Sequence, residues 1–171
     1  MKKETAIYSK LFESYVWIRP EGRGTFVESS LIKELVDQCV AQGARKFVID
    51  LEACPGMDST FMGMMAGVGI ALRKTGGKTL VVVGTSEKTL SSLRELGLHH
   101  LLTIEPAEGP WVGRLEDARR GLELVDLQHT GDREAHIRES HEDLCLADEG
   151  NFEKFGTVLE MLGSPLKGTA Q

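Results

Sequence analysis

Three consecutive side chains stand out for chemistry: the carboxylate of Asp58 and the hydroxyls of Ser59 and Thr60, inside Pro55-Gly56-Met57-Asp58-Ser59-Thr60-Phe61-Met62-Gly63. An apolar run, residues 46–51, precedes them, and a Gly- and Met-rich segment, residues 62–72, follows. Strand, tight turn and helix is the natural reading, with the triplet at the helix N-terminus. There, unpaired backbone N–H groups and the positive end of the helix dipole favour negative charge. A hydroxyl on such a first turn can accept a phosphate. The same residue types also serve as plain helix caps, and local chemistry alone leaves both readings open.

Other chemistry finds less support. No G-x-x-x-x-G-K-[ST] phosphate loop occurs, and Gly22-Arg23-Gly24 lacks the third glycine of a dinucleotide fingerprint. A nucleophile elbow at Ser59 would need glycines where Met57 and Phe61 stand. The five histidines, His99, His100, His129, His136 and His141, all read as lying away from Ser59, so no catalytic triad is expected. His141 and Cys145, four apart, could share a helix face, but two ligands do not make a structural zinc site. No metal or cofactor is expected. Met57, Met62, Met64 and Met65 read as core packing, with an adaptable partner surface as the minority use of such thioethers.

The elements that must position the triplet follow from periodicity. A short strand is expected at residues 7–11 and a stronger one at 15–18, ended by the turn residues 20–24. A helix over 26–42 carries Leu31, Ile32, Leu35, Val36, Cys39 and Val40 on one stripe, and Gly43 ends it. Phe47-Val48-Ile49 does not alternate, as in a strand covered on both faces. The helix over 59–74 contains Gly63, Gly67 and Gly69; each costs about 1 kcal/mol relative to Ala, which close approach of this helix to the sheet would offset. Gly76-Gly77 stops it. Residues 80–83 form the next strand, which makes a βαβ unit with parallel pairing. Ser86 caps a helix over 87–96, and residues 98–104 lead into a last strand. After a linker at 108–110 the patterns are helical. His129-Thr130-Gly131-Asp132 interrupts them, and Phe155, Val158, Leu159 and Leu162 form an amphipathic face. Residues 164–171 are expected to fray.

The alternation of strands and helices predicts an α/β sheet layered with helices. The chain has 171 residues, is 41% hydrophobic and 27% charged, and carries a formal charge of −6. Those values suit one globular domain with an appendage, and they give a direct nucleic-acid role little electrostatic support. No signal-peptide core and no stretch long enough to span a bilayer is evident. Cys39, Cys54 and Cys145 read as reduced thiols, and the expected location is the cytoplasm.

Asp58-Ser59-Thr60 after an apolar strand, with Gly63, the Gly76-Gly77 break, the 80–83 strand and Leu96-Gly97-Leu98, resembles the D-S-[ST]-G-L-G pattern of bacterial anti-sigma factor antagonists, the STAS-domain proteins. The resemblance covers roughly residues 15–104. It implies a STAS-like mixed sheet of about four to five strands with helices packed against it (residues 1–107), followed here by a helical extension (108–163) and a tail (164–171). It implies no catalytic machinery. It implies binding to a kinase-type anti-sigma factor of the histidine-kinase-like ATPase type, phosphorylation of Ser59 by that kinase, with Thr60 as the secondary candidate, and reversal by a phosphatase. The implied partner-binding face comprises Asp58, Ser59, Thr60, Phe61, Met62 and the loop Gly22, Arg23, Gly24, Thr25. Two departures are visible. Phe61 and Met62 stand at the pattern's glycine and leucine, which puts a bulky ring beside the acceptor. Gly22-Arg23-Gly24-Thr25 stands where the family has G-E-[IL]-D. A non-phosphorylated STAS scaffold, assembling through the extension, is the alternative, and a homodimer stays open.

Overall fold

All four residues of β3 (Phe47–Asp50) are buried, as the unbroken apolar run predicts. The computed structural model describes residues 5–76, 79–126 and 131–166. Around β3 lie β1 (Ala6–Leu11), β2 (Val16–Glu21), β4 (Val81–Val83), β5 (Thr103–Ile104) and β6 (Glu123–Leu124), in the sheet order β5-β4-β3-β2-β1-β6. β2, β3, β4 and β5 pair in parallel. β1 runs antiparallel to both β2 and β6. The expected mixed sheet is present, with six strands where four to five were expected. The additional strand, β6, arises in the segment expected to be helical and pairs Tyr8 with Leu124 and Ser9 with Glu123. Two residues are too few to leave a period-two signal in sequence.

The helices are α1 (Phe26–Ala41), α2 (Ser59–Lys74), α3 (Glu87–Glu95), α4 (Leu115–Arg120), α5 (Arg133–Ala147) and α6 (Asn151–Met161), with a 3-10 turn at Leu98–His100. Alternate strand residues feed two cores. Val16, Ile18, Phe47, Ile49 and Val82 join Ile32, Phe61, Met65, Leu93 and Leu144 on the side of α1, α2 and α3. Each fully buried side chain of this kind contributes roughly 1.5–3 kcal/mol. Trp17, Val48 and Val83 face the other way and are covered by Trp111 and Ala118. Trp111 stands edge-on to Tyr15 and Trp17, with ring centroids 5.4 and 6.0 Å apart.

The segment beyond residue 108 thus wraps the domain. Its first part covers the second sheet face and extends the sheet edge; α5 then returns to the first face and packs on α2, and α6 packs on α5. Leu144, at 0% exposure, belongs to the main core. Asn151 pins the α5–α6 turn, its Nδ2 donating to Leu96 O (3.0 Å) and Leu144 O (2.8 Å). This packing corrects the expectation for the α2 glycines. A Cβ on Gly63 would collide with the Ser140 carbonyl, and one on Gly67 with the Asp143 carboxylate. Those two glycines admit α5, not the sheet, whereas Gly69 faces Leu102 and Thr79. Ser164, placed in the fraying tail by sequence, donates to Glu142 Oε1 (2.9 Å). Gly77, His129 and Thr130 lie outside the described residues.

Candidate functional site

Asp58 is the N-cap of α2. Its Oδ1 accepts from Phe61 N (2.8 Å) and its Oδ2 from Phe26 N (3.1 Å). One carboxylate therefore caps the first turns of two helices, α2 and α1. Phe26 follows Thr25, which caps α1 through a capping box with Glu28. The loop Gly22–Thr25 is fastened to the turn before α2 by backbone bonds: Gly22 N to Ala53 O (2.9 Å), Gly24 N to Gly56 O (2.9 Å) and Asp58 N to Gly24 O (2.8 Å). The two stretches singled out from sequence, 22–25 and 58–62, are thereby adjacent.

Their side chains differ in access. Ser59 is half-buried on the first residue of α2, and Arg23 is exposed. Thr60 is 6% exposed, Met62 8% and Phe61 0%. The Phe61 ring does not stand beside the Ser59 hydroxyl at the surface, as its place in the sequence suggests. It lies beneath Gly24, where a Cβ would come within 2.8 Å of the ring. Gly24 and Phe61 are thus a matched pair: the missing side chain at one makes room for the large one at the other. Met57, Met62, Met64 and Met65 are all buried, in keeping with the core reading.

The expectation that the histidines lie away from Ser59 is overturned. His141 of α5 is 4% exposed and places Nε2 at 2.9 Å from Ser59 Oγ. Its Nδ1 lies 2.8 Å from Ile137 O. A carbonyl only accepts, so Nδ1 carries the ring proton, and in the neutral ring Nε2 accepts from the Ser59 hydroxyl. The pair is 82 residues apart in the chain, and no local periodicity links them. Phe155 of α6 backs the imidazole edge-on at 5.1 Å. A second contact of the same kind lies one turn earlier, where His136 Nε2 is 2.7 Å from Ser29 Oγ. Ser29 already donates to Phe26 O (3.0 Å), so His136 is the donor there. Ser59 and His141 share the first two groups of a serine–histidine relay. The orienting group on Nδ1 is a main-chain carbonyl, however, and α5 itself occupies the space above the hydroxyl. Among the described residues, no group of three or more His, Cys, Asp or Glu could hold a metal ion.

A second polar centre, unseen in the sequence, lies on the opposite sheet face. Asp50 is 0% exposed. It receives Arg119 Nε (2.7 Å) and Nη2 (3.2 Å), Arg19 Nη1 (3.1 Å), Trp17 Nε1 (3.2 Å) and Glu52 N (3.1 Å). Glu52 pairs in turn with Arg19 and Arg119. Burial pushes the Asp50 carboxyl up, but the Arg119 hydrogen bonds, the Glu52 N–H and the two guanidinium charges together hold it below the usual carboxylate range. Every strong acceptor position is filled, which marks a structural clamp of α4 on the sheet. Nearby, a cleft of about 470 Å³ opens between Lys46, Arg73, Tyr15, Val81 and Trp111.

Comparison with known proteins agrees with this architecture. The STAS domain family matches residues 9–109. A Thermotoga maritima protein assigned as an anti-sigma factor antagonist is similar in structure, with a TM-score of 0.54 and 20% identity over 66% of this chain and 93% of its own. The anti-sigma factor antagonist SpoIIAA in its unphosphorylated form has a TM-score of 0.52 and 19% identity, over 68% of this chain and 99% of its own. The Bacillus cell fate determinant SpoIIAA in its phosphorylated form has a TM-score of 0.51 and 19% identity, over 64% and 99%. A search of curated proteins finds no match. No helix among the described residues is long and apolar enough to cross a membrane. With the match spanning more than half of its residues, the chain belongs to the STAS-domain family.

Proposed function

We propose that this protein is a cytoplasmic anti-sigma factor antagonist-like module. It binds a kinase-type anti-sigma factor through the face built from residues 22–25 and 58–62, and phosphorylation of Ser59 switches that binding off. The observation that carries this reading is the placement of Ser59. It is the first residue of α2, half-buried and directly after the Asp58 cap, while its neighbour Thr60 is buried. The similarity to SpoIIAA, a protein known in unphosphorylated and phosphorylated forms, supports it.

The kinase supplies the chemistry. Ser59 Oγ attacks the γ-phosphorus of the kinase's Mg-ATP, the bond to the bridging oxygen breaks, ADP leaves, and the hydroxyl proton passes to a base of the kinase. The product carries about −1.5 to −2 charges beside Asp58. The N-terminus of α2 stabilises part of that charge. An interface fitted to a neutral hydroxyl then meets an anion, and like-charge and desolvation penalties of several kcal/mol remove the partner. A phosphatase resets the switch. No step needs a cofactor or a catalytic residue of this chain.

Incubation with the cognate kinase and Mg-ATP, followed by mass spectrometry, tests the modification, and a pull-down with Ser59→Asp tests the switch. Phosphate found only elsewhere, or unchanged capture of the partner by Ser59→Asp, would sink the reading. The engagement of the Ser59 hydroxyl by His141 favours a second reading, a STAS scaffold that is never phosphorylated. That reading predicts a stable oligomer, unaffected by Ser59→Ala, in light scattering.

A further inference from the structure

We propose that the middle of α5, at Ser140 and His141, is a built-in cover of the Ser59 face, and that seating of His141 on Ser59 and phosphorylation of Ser59 are mutually exclusive. The inference rests on the reading of Ser59 as a phosphoacceptor. Three observations carry it, and in each α5, which lies beyond the 9–109 match, is the covering element.

First, the hydroxyl is occupied. His141 Nε2 takes the hydrogen-bonding direction of Ser59 Oγ at 2.9 Å, and its ring is itself fixed by Ile137 O and Phe155. A phosphoryl group bonded to Oγ would fill the space the imidazole holds. An incoming kinase cleft must reach the same point from the same side.

Second, the fit is built into the backbone. Gly63 lies one turn after Ser59, and a Cβ there would collide with the carbonyl of Ser140, the residue before His141. Gly67, a further turn on, admits the Asp143 side chain. Two glycines in the middle of a helix lower its intrinsic stability, and here both open the face that receives α5.

Third, α5 is held unevenly. Its second half is anchored by Leu144 and Cys145, buried at 0% and 2%, and by Asn151 at the turn into α6. Ser140 and His141, over the acceptor, are buried, but the turns that lead up to them are exposed to half-buried from Arg133 to Glu139. These turns meet α1 through His136 on Ser29 and the Arg133 guanidinium 3.9 Å over the Phe26 ring. A helix gripped by apolar burial at one end and by hydrogen bonds at the other opens locally from the hydrogen-bonded end. Opening that spreads from that end past Ser140 lifts His141 off Ser59. Regulation of the switch then lies partly inside the chain, in the closed fraction of this helix.

Access to position 59 can be measured without any partner. In a Cys39→Ser background, Ser59→Cys puts a thiol under His141, and N-ethylmaleimide labelling with peptide mapping reads its exposure. Gly63→Ala added to that chain should push α5 away while favouring α2, and labelling at position 59 should rise by at least about tenfold, with cooperative unfolding retained. Should Gly63→Ala not fold, His136→Ala, which loosens the first half of α5, should raise the rate in the same direction. Equal labelling rates with and without the added substitution would overturn the cover. A parallel assay on native Ser59, with the cognate kinase and Mg-ATP, should show faster phosphorylation of Gly63→Ala than of the parent. Accelerated labelling with no phosphate on Ser59 in either chain would leave the cover standing and reject the phosphoacceptor reading.

Discussion

His141 Nε2 stands 2.9 Å from Ser59 Oγ, joining the first residue of α2 to a helix that begins 74 residues later in the chain, Ser59 to Arg133. The contact unites the two parts of the molecule. Asp58, Ser59 and the loop at 22–25 belong to the segment that matches the STAS domain, and α5 lies beyond it. The surroundings of the Ser59 hydroxyl are therefore set in part by residues that follow the matched domain.

Asp58 should matter to stability as well as to the site, because it caps α1 and α2 together. Asp58→Ala should cost about 2 kcal/mol, roughly 1 for each cap. Asp58→Asn, which keeps an acceptor oxygen, should cost less. Urea unfolding followed by circular dichroism checks this, and an unchanged midpoint for Asp58→Ala would count against the double cap.

The Asp50 clamp predicts a different signature. Arg119→Ala leaves a fully buried carboxylate with one guanidinium fewer and should cost about 3 kcal/mol. Tryptophan emission should shift at lower denaturant, since Trp17 donates to Asp50 and Trp111 packs on Trp17. The folded carboxyl is held below its unfolded value, so this stabilisation is present above about pH 4 and is lost as pH falls through the folded value. Asp50→Asn should be less stable than the parent at neutral pH, and the gap should narrow on acidification.

Asp143 behaves with the opposite sign. Burial against α2, with the charges of Glu139 and Glu142 outweighing those of Lys33 on α1 and Lys74 on α2, raises its carboxyl to about 7. The unfolded value is about 4, so its contribution to stability is fully present below that and is lost as pH rises through 7. Asp143→Asn should match the parent near pH 4 and exceed it at pH 8 by about 1–2 kcal/mol, after allowance for solvent screening. Thermal melts across that range decide it. A parent equally stable at both ends, with no gain from the substitution, would contradict the assignment.

Much of the domain was legible from local pattern. α2 spans Ser59–Lys74 as predicted, the turns at Gly43, Gly76 and Gly97 fall at helix ends, and β3 is buried on both faces. These signals are local: caps, glycines with positive φ and short apolar runs. The Arg119–Asp50 clamp, the β6–β1 pairing and the His141–Ser59 contact join residues far apart in sequence, and periodicity records only which face is apolar. Gly63 and Gly67 did announce a close approach, but a glycine reports that something comes near, not which element does. Phe61 misled for a related reason: adjacency in sequence on a helix turns successive side chains about 100° apart. The Phe61 ring therefore enters the core while Ser59 stays near the surface.

The most direct test of Ser59 as the switch is site mapping after treatment with Mg-ATP and the cognate kinase, with partner capture measured on the same samples. The account predicts a single phosphate on Ser59, loss of capture in proportion to its occupancy, and neither change in Ser59→Ala. Phosphate carried on another residue, or full capture by protein phosphorylated at Ser59, would contradict it.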